Sequence, residues 1–352
     1  MFASSVDAQQ RVVDAETGQP VEMASIFDVT GNVVGYTMNG GIFSEVSESD
    51  YPITLRCLGY EPLVIQRPEE KTWKMTPLTY DMKEVVIVPV KRNVLKQTIY
   101  AREYFSVSNA TDTVNLFLEH MGVRFLPTTK DAKFGGNSSL RILATNQYSH
   151  YQVHDKDSFM IDHKSTFPSF LNLILSKDEV KVPDSFMKDN NEVKVYKKTG
   201  KSGLILSLKQ NAHTFTCIKD GLADTKDHKM SPWELKVFGA TMDINQLYKT
   251  GVFRANDKGV YHPKDLIEAS FVLEADGRGK FLRKMLKSET PVVIRSMVEL
   301  YVVDREYLSN EEAKEEYKNK SQKIDFIIPS TVPPLNDATL QLIKRAKLEV
   351  KK

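Results

Sequence analysis

The chain is predicted to be mainly β with some α: a small N-terminal β-sandwich followed by a larger antiparallel β-rich α+β domain. Three observations predict this. Turn residues sit among short apolar runs in the first 90 residues, strand-length apolar runs alternate with polar turns from residue 140 onward, and long helices do not alternate with those runs.

In the first segment, Val13, Asp14, Thr17, Gly18 and Pro20 mark one chain reversal, Gly40 and Gly41 a second, and Gly59 with Tyr60 a third. Glycine takes positive φ without steric cost, and Pro20 fixes φ where the next segment starts. The runs 24–29, 53–58, 63–65 and 85–88 have strand length and composition, and their spacing suits about seven strands in an Ig-like sandwich.

Taken together, V-D-A-E-T-G-Q-P-V at 13–21, T-M-N-G-G-I-F at 37–43, L-G-Y at 58–60 and M-K-E-V-V-I-V at 82–88 resemble the carboxypeptidase regulatory-like domain family. That family is a transthyretin-like sandwich of envelope proteins in Bacteroidetes-type bacteria. The resemblance covers the first quarter of the chain. Met38 stands where the family usually has Asp, and Gln10 where it often has Gly. It implies a non-catalytic spacer or docking module and an exported protein, periplasmic or associated with the outer membrane.

The 352 residues, 41% hydrophobic, suffice for two cores, of which the sandwich takes the smaller. Three segments are expected: 1–9 as the end of a signal peptide or a disordered terminus, 10–90 as the sandwich, and 91–352 as a β-rich domain of unknown function. The 48 basic and 46 acidic residues are interspersed, so no basic stripe marks a nucleic-acid partner. No apolar run is long enough for a membrane-spanning helix. Cys57 and Cys217 fall in different segments and are expected as free thiols, and neither has zinc-site spacing.

In the second segment, residues 111–121 carry Val114, Phe117, Leu118 and Met121 at i, i+3, i+4 and i+7, with Thr111 or Asp112 to cap and Gly122 to close, which predicts a helix. Strands are predicted at 140–145, 193–197, 204–208, 214–218, 235–238, 271–274, 292–303 and 324–328. Hairpin turns are predicted at 199–203 and 276–279, and a brief helix at 244–250. Ser309 followed by Glu312 makes a capping box that opens a charged helix, and a final helix at 336–347 can turn Leu340, Ile343 and Ala346 inward.

Candidate chemistry is sparse. His150, His154 and His163, among Asp155, Asp157 and Asp162, are the best metal-like cluster, because imidazole with carboxylate can hold a divalent ion. The competing reading is an exposed polar hairpin. The signatures of zinc carboxypeptidases, H-E-x-x-H peptidases, phosphate-binding loops and G-x-S-x-G hydrolases are absent. Trp233, behind Pro232, is the aromatic residue singled out as a binding platform. The preferred expectation is a non-enzymatic binding or scaffolding protein of the cell envelope, contacting a protein, glycan or lipid and needing no cofactor. The alternatives are a metal-assisted hydrolase using the cluster from His150 to His163, and a carrier of an apolar ligand in a curved sheet.

Overall fold

The structure, a computed structural model, describes residues 10–38, 40–43, 46–68, 71–78, 92–130, 132, 140–154, 156–162, 171, 175, 180–181, 192–193, 204–210, 213–222, 236–237, 240–256, 258–286, 291–319, 324–328 and 332–349. For 192–193, 204–210, 236–237, 240, 281 and 285 it describes the backbone alone. The chain forms two units: one of Met1–Tyr80 with Pro333–Lys344, the other of Asp81–Val332 with Arg345–Lys352. The expected boundary at 90/91 lies outside the described residues, and part of the C-terminal segment groups with the sandwich.

Among the described residues, seven strands build the first unit: β1 (Gln10–Asp14), β2 (Ser25–Phe27), β3 (Val33–Tyr36), β4 (Ile42–Phe43), β5 (Ile53–Arg56), β6 (Leu63–Ile65) and β7 (Thr72–Met75). One sheet has the order β4-β1-β7, with β1 and β7 parallel, and the other the order β3-β2-β5-β6. Val12, Ile26, Ile53, Leu55, Ile65 and Met75 are fully buried between them. The turn chemistry is local and explicit. Asp14 Oδ1 accepts the N–H groups of Glu16 and Thr17 at 2.9 and 2.8 Å, Gly18 follows at φ +69°, and Asp14 Oδ2 accepts the Tyr60 hydroxyl at 2.9 Å. Two sequence segments 46 residues apart are therefore one hydrogen-bonded unit, and burial pushes the Tyr60 phenol up, with Cys57 and Asp14 adding to the shift. The strand expected at 85–88 lies outside the described residues.

The second unit contains β8 (Val94–Ser108), β9 (Thr113–Pro127), β10 (Arg141–Val153), β11 (Lys156–Asp162), β12 (Val180–Lys181), β13 (Glu192–Val193), β14 (Leu204–Gln210), β15 (Thr214–Asp220), β16 (Lys236–Val237), β17 (Ala240–Arg254), β18 (Val260–Tyr261), β19 (Leu266–Gly279) and β20 (Val292–Leu308). Eleven of them form one antiparallel sheet in the order β11-β10-β9-β8-β20-β19-β17-β15-β14-β13, with β16 on β17, while β12 and β18 pair separately. Helix α1 (Lys280–Leu286) lies on one face, called the inner face below, and α2 (Asn310–Lys318) on the other; α3 (Asp337–Glu349) closes the described chain.

The inner face is apolar along most of its width. Phe105 and Val107 of β8 pair with Leu116 and Val114 of β9, Ile99, Ala101 and Val107 pair with Val302, Leu300 and Ile294 of β20, Leu118 and Val298 flank Glu103, and Phe271, Leu273 and Ala275 of β19 continue the layer. Helix α1 contributes Leu282 and Leu286 and packs against β9, β17 and β19. Strands β9 and β17 stand four spacings apart, about 19 Å in a flat sheet, so the sheet wraps around this seven-residue helix. Bulges between Ile244 and Gln246, Val252 and Phe253, and Val302 and Asp304 supply local bends, since an extra residue in one strand increases twist.

Five sequence expectations are not met. Residues 111–121 are not a helix but lie in β9 and the turn before it, and 244–250 lie within β17. β9 is buried on both faces, and β17 buries Leu247 and Phe253 on one face and Tyr248 and Val252 on the other, which blurs the alternation that identifies a strand. The expected turn at 276–279 is the continuing end of β19, where Gly277 pairs with Met242 and Val292. Residues 324–328 carry no strand. In the last helix Ala346 is buried and Ile343 half-buried, but Leu340 is exposed.

The charged helix forms as expected. Ser309 Oγ accepts the Glu312 N–H at 3.2 Å while Glu312 Oε2 accepts the Ser309 N–H at 2.7 Å, and Arg141 donates to the Tyr317 carbonyl at 2.7 Å at the other end. Ala313 and Tyr317 pack on Val94, Val123, Phe125 and Leu308. Ser309→Ala should cost α2 about 1 kcal/mol, seen as faster amide exchange confined to residues 310–318.

Candidate functional site

The expected hairpin is present: β10 pairs with β11 from Gln147↔Asp162 to Val153↔Lys156, so His154 lies at its tip. His150 faces Phe159 across the pair, with ring centroids 4.4 Å apart and planes 3° from parallel, and its Nε2 lies 2.6 Å from Asp157 Oδ1. His154 adopts φ +52° and donates its backbone N–H to Asp112 Oδ1 at 2.7 Å. His163 and Trp233 lie outside the described residues. Among the described residues, no group of three or more His, Cys, Asp or Glu side chains could hold a metal ion. Neither cysteine forms a disulfide; Cys217 is buried and its thiol pushed up to about 12 by that burial, while Cys57 is half-buried.

Asp112 joins the tip of this hairpin to the turn between β8 and β9. The His154 N–H holds its carboxyl below the usual carboxylate range, helped by Thr111, the His154 ring and Asn109 against the opposing effect of burial. A depressed carboxylate contributes stability above its unfolded value, near 3.9, and loses that contribution as pH falls through its folded value. Acidification should therefore release the His154 amide only below about pH 4, read as that amide's hydrogen exchange against pH. Asp112→Asn should abolish the pH dependence.

Side chains that the sequence did not single out come together on the inner face. His120 of β9 stands between neighbours from two strands: its Nδ1 is 2.9 Å from Thr145 Oγ1 of β10, and its Nε2 is 2.8 Å from Glu103 Oε1 of β8, a close polar contact without the in-line direction of a hydrogen bond. Glu103 and His120 are both buried. The arrangement fixes the imidazole between an acid and a hydroxyl within an otherwise apolar layer.

One end of the same face carries arginines. In register, Gln97 of β8 stands between Arg124 of β9 and Arg305 of β20. Arg124 donates Nε–H to Gln97 Oε1 at 2.8 Å and Nη2–H to the Pro263 carbonyl at 2.8 Å, and Arg305 donates Nη2–H to the Leu266 carbonyl. Burial, then the proximity of Arg305, lowers the Arg124 guanidinium to about 10. Burial and then Arg254 lower Arg305 to about 10, opposed by Tyr307, Asp265 and Asp304. Sequence reasoning missed this row because its members lie 27 and more than 170 residues apart; only the strand register brings them together.

No family model matches the chain, and no curated protein matches it. Among solved structures it is similar to a chain from a study of lipid–protein interactions in lipovitellin, at 11% identity and a TM-score of 0.30, over 62% of this chain and 26% of that one. The present chain thus spans about a quarter of that chain's length. At that level the likeness identifies neither a fold family nor a ligand. No helix among the described residues is long and apolar enough to cross a membrane.

Proposed function

We propose that the chain is a non-enzymatic binding protein of the bacterial cell envelope, in which the large sheet carries an apolar ligand and the sandwich serves as spacer or docking module. The observation that carries this reading is the inner face. Among the described residues a wrapped sheet of eleven strands carries a buried apolar layer across β9, β8, β20 and β19, and the helix laid on it is seven residues long. Among the described residues α1, the paired strands β12 and β18 through Val180 and Tyr261, and Leu171 and Leu222 pack on this layer, and an apolar chain would exchange for such contacts, at roughly 25 cal/mol per Å² of surface removed from water. The envelope assignment rests on the resemblance of residues 13–21, 37–43, 58–60 and 82–88 to carboxypeptidase regulatory-like domains.

The test is organic extraction and mass spectrometry of the chain purified from its native host without detergent, paired with titration of the stripped protein by N-phenylnaphthylamine. Co-purified lipid in a fixed ratio and saturable dye binding are expected. An extract without lipid, together with dye fluorescence that does not saturate, would overturn the carrier reading.

A further inference from the structure

We propose that the outward side of α3 docks the chain on a lipid surface that carries anionic headgroups. This goes beyond the carrier reading and does not rest on it, since it concerns an exposed helix and not the inner face. The first support is helical spacing. Positions i, i+4, i+7 and i+8 fall on one side of an α-helix. In the thirteen residues of α3 they are Leu340, Lys344, Lys347 and Leu348, all exposed. The opposite side is the packed one: Thr339 and Ala346 are buried, and Leu342 and Ile343 half-buried. Among the described residues the exposed leucines are Leu340, at 47%, and Leu348, at 54%, so the helix places apolar side chains where the fold does not cover them.

The second support is charge. From Leu340 to Lys352 the sequence carries Lys344, Arg345, Lys347, Lys351 and Lys352 against the single acid Glu349, in a chain whose net charge is only +2. Arg345 and Glu349 are engaged with β11: the guanidinium stands 5.5 Å from the Phe159 ring centroid, and Glu349 Oε2 accepts the Phe159 N–H at 3.4 Å. Among the described residues Lys344 and Lys347 have no ion-pair partner. Asp337, the acid on the outward side, sits in the first turn. The rest of that side is therefore basic as well as apolar.

The third support is what such a mixture fits. An acidic polymer would neutralise the lysines but leave Leu340 and Leu348 in water. An anionic lipid surface takes both kinds of side chain. Leucines enter the boundary between headgroups and acyl chains, while lysines lay their methylene stems along it and keep their ammonium groups among the phosphates. Leu340 and Leu348 stand about 12 Å apart along the helix axis, so both enter only when α3 lies in the plane of the surface, which brings Lys344 and Lys347 to the headgroups between them.

The experiment is co-sedimentation of the full-length chain with vesicles of phosphatidylcholine alone and of phosphatidylcholine mixed with phosphatidylglycerol, at low and at high salt. Binding to the anionic vesicles should be about tenfold tighter or more, and should weaken with salt. Lys344→Gln with Lys347→Gln should remove that preference, and Leu340→Ser with Leu348→Ser should weaken binding to the anionic vesicles by about tenfold or more. All four side chains are exposed, so both variants should keep the fold. Equal binding to the two compositions, or an anionic preference that survives the lysine substitutions, would overturn the docking face. Lysine-dependent binding that the leucine substitutions leave intact would make α3 a patch for any polyanion and overturn the lipid surface. Binding to neither vesicle would reduce α3 to a solvated charged helix and overturn the proposal, while the lipid extract and the dye titration would still decide the carrier reading.

Discussion

Gly41→Ala should unfold the sandwich, with a loss of about 4 kcal/mol or more. Gly41 adopts φ +72°, where an L side chain is already strained, and a Cβ there would stand 2.2 Å from the Val12 carbonyl oxygen, 3.2 Å from the Val21 nitrogen and 3.3 Å from Pro20 Cβ. The first two are backbone atoms tied into the sheet: Val12 donates its N–H to the Gly41 carbonyl at 2.8 Å, and Val21 donates to the Val12 carbonyl at 2.9 Å. No rotamer change relieves the contact; β1 and the start of β4 must separate. Gly18→Ala is the control. Its φ of +69° is nearly the same but nothing lies within 4 Å of the added carbon, so it should cost only the conformational term of about 1–2 kcal/mol. Amide exchange across β1, β4 and β7 in the full chain measures both. A Gly41→Ala cost no larger than that of Gly18→Ala would mean that the close approach of β1 is not required.

The contrast between those glycines shows which parts of the fold were legible. The sandwich was readable because its determinants are local: Asp14, Thr17, Gly18 and Pro20 make a turn within seven residues, and Ser309 with Glu312 make a cap within four. The large sheet was readable as β-rich and antiparallel but not in its lengths or its order. A strand such as β9 is buried on both faces, from Val114 and Leu116 on one to Phe117 and Met121 on the other, so its apolar residues can satisfy a helical spacing as easily as an alternating one. Gly122 read as a helix terminator, whereas in the sheet a Cβ there would meet the Arg141 carbonyl of β10 at 2.7 Å. That reason is a neighbour 19 residues away, invisible to local pattern. The same holds for the sites. His150 and His154 were prominent because they are close in sequence, yet the hairpin gives them separate partners. Glu103, His120 and Thr145, like Arg124 and Arg305, were not prominent because only the order of β10, β9, β8 and β20 makes them neighbours.

Phe271→Ala should be the most damaging truncation of the inner face, costing about 3–5 kcal/mol. Phe271 is 1% exposed in the middle of β19, between Lys249 of β17 and Val298 of β20, within the apolar layer that includes Leu273 and Leu300. Removing the ring deletes its burial and leaves a cavity that three hydrogen-bonded strands cannot collapse. Against a stability of about 5–15 kcal/mol for a domain, that is a loss of a third or more, and urea unfolding of the full chain measures it. The same variant bears on the carrier reading. A ligand that binds only the folded state adds about 2.7 kcal/mol at a hundredfold excess over its Kd, so an apolar ligand along the inner face should shift the unfolding midpoint of the wild type upward and recover much of the Phe271→Ala deficit. Recovery in the variant alone would mean that the engineered cavity, not the native face, takes the ligand. A deficit under about 1 kcal/mol, below the range for a buried phenylalanine, would show that the layer around Phe271 is not closely packed in solution.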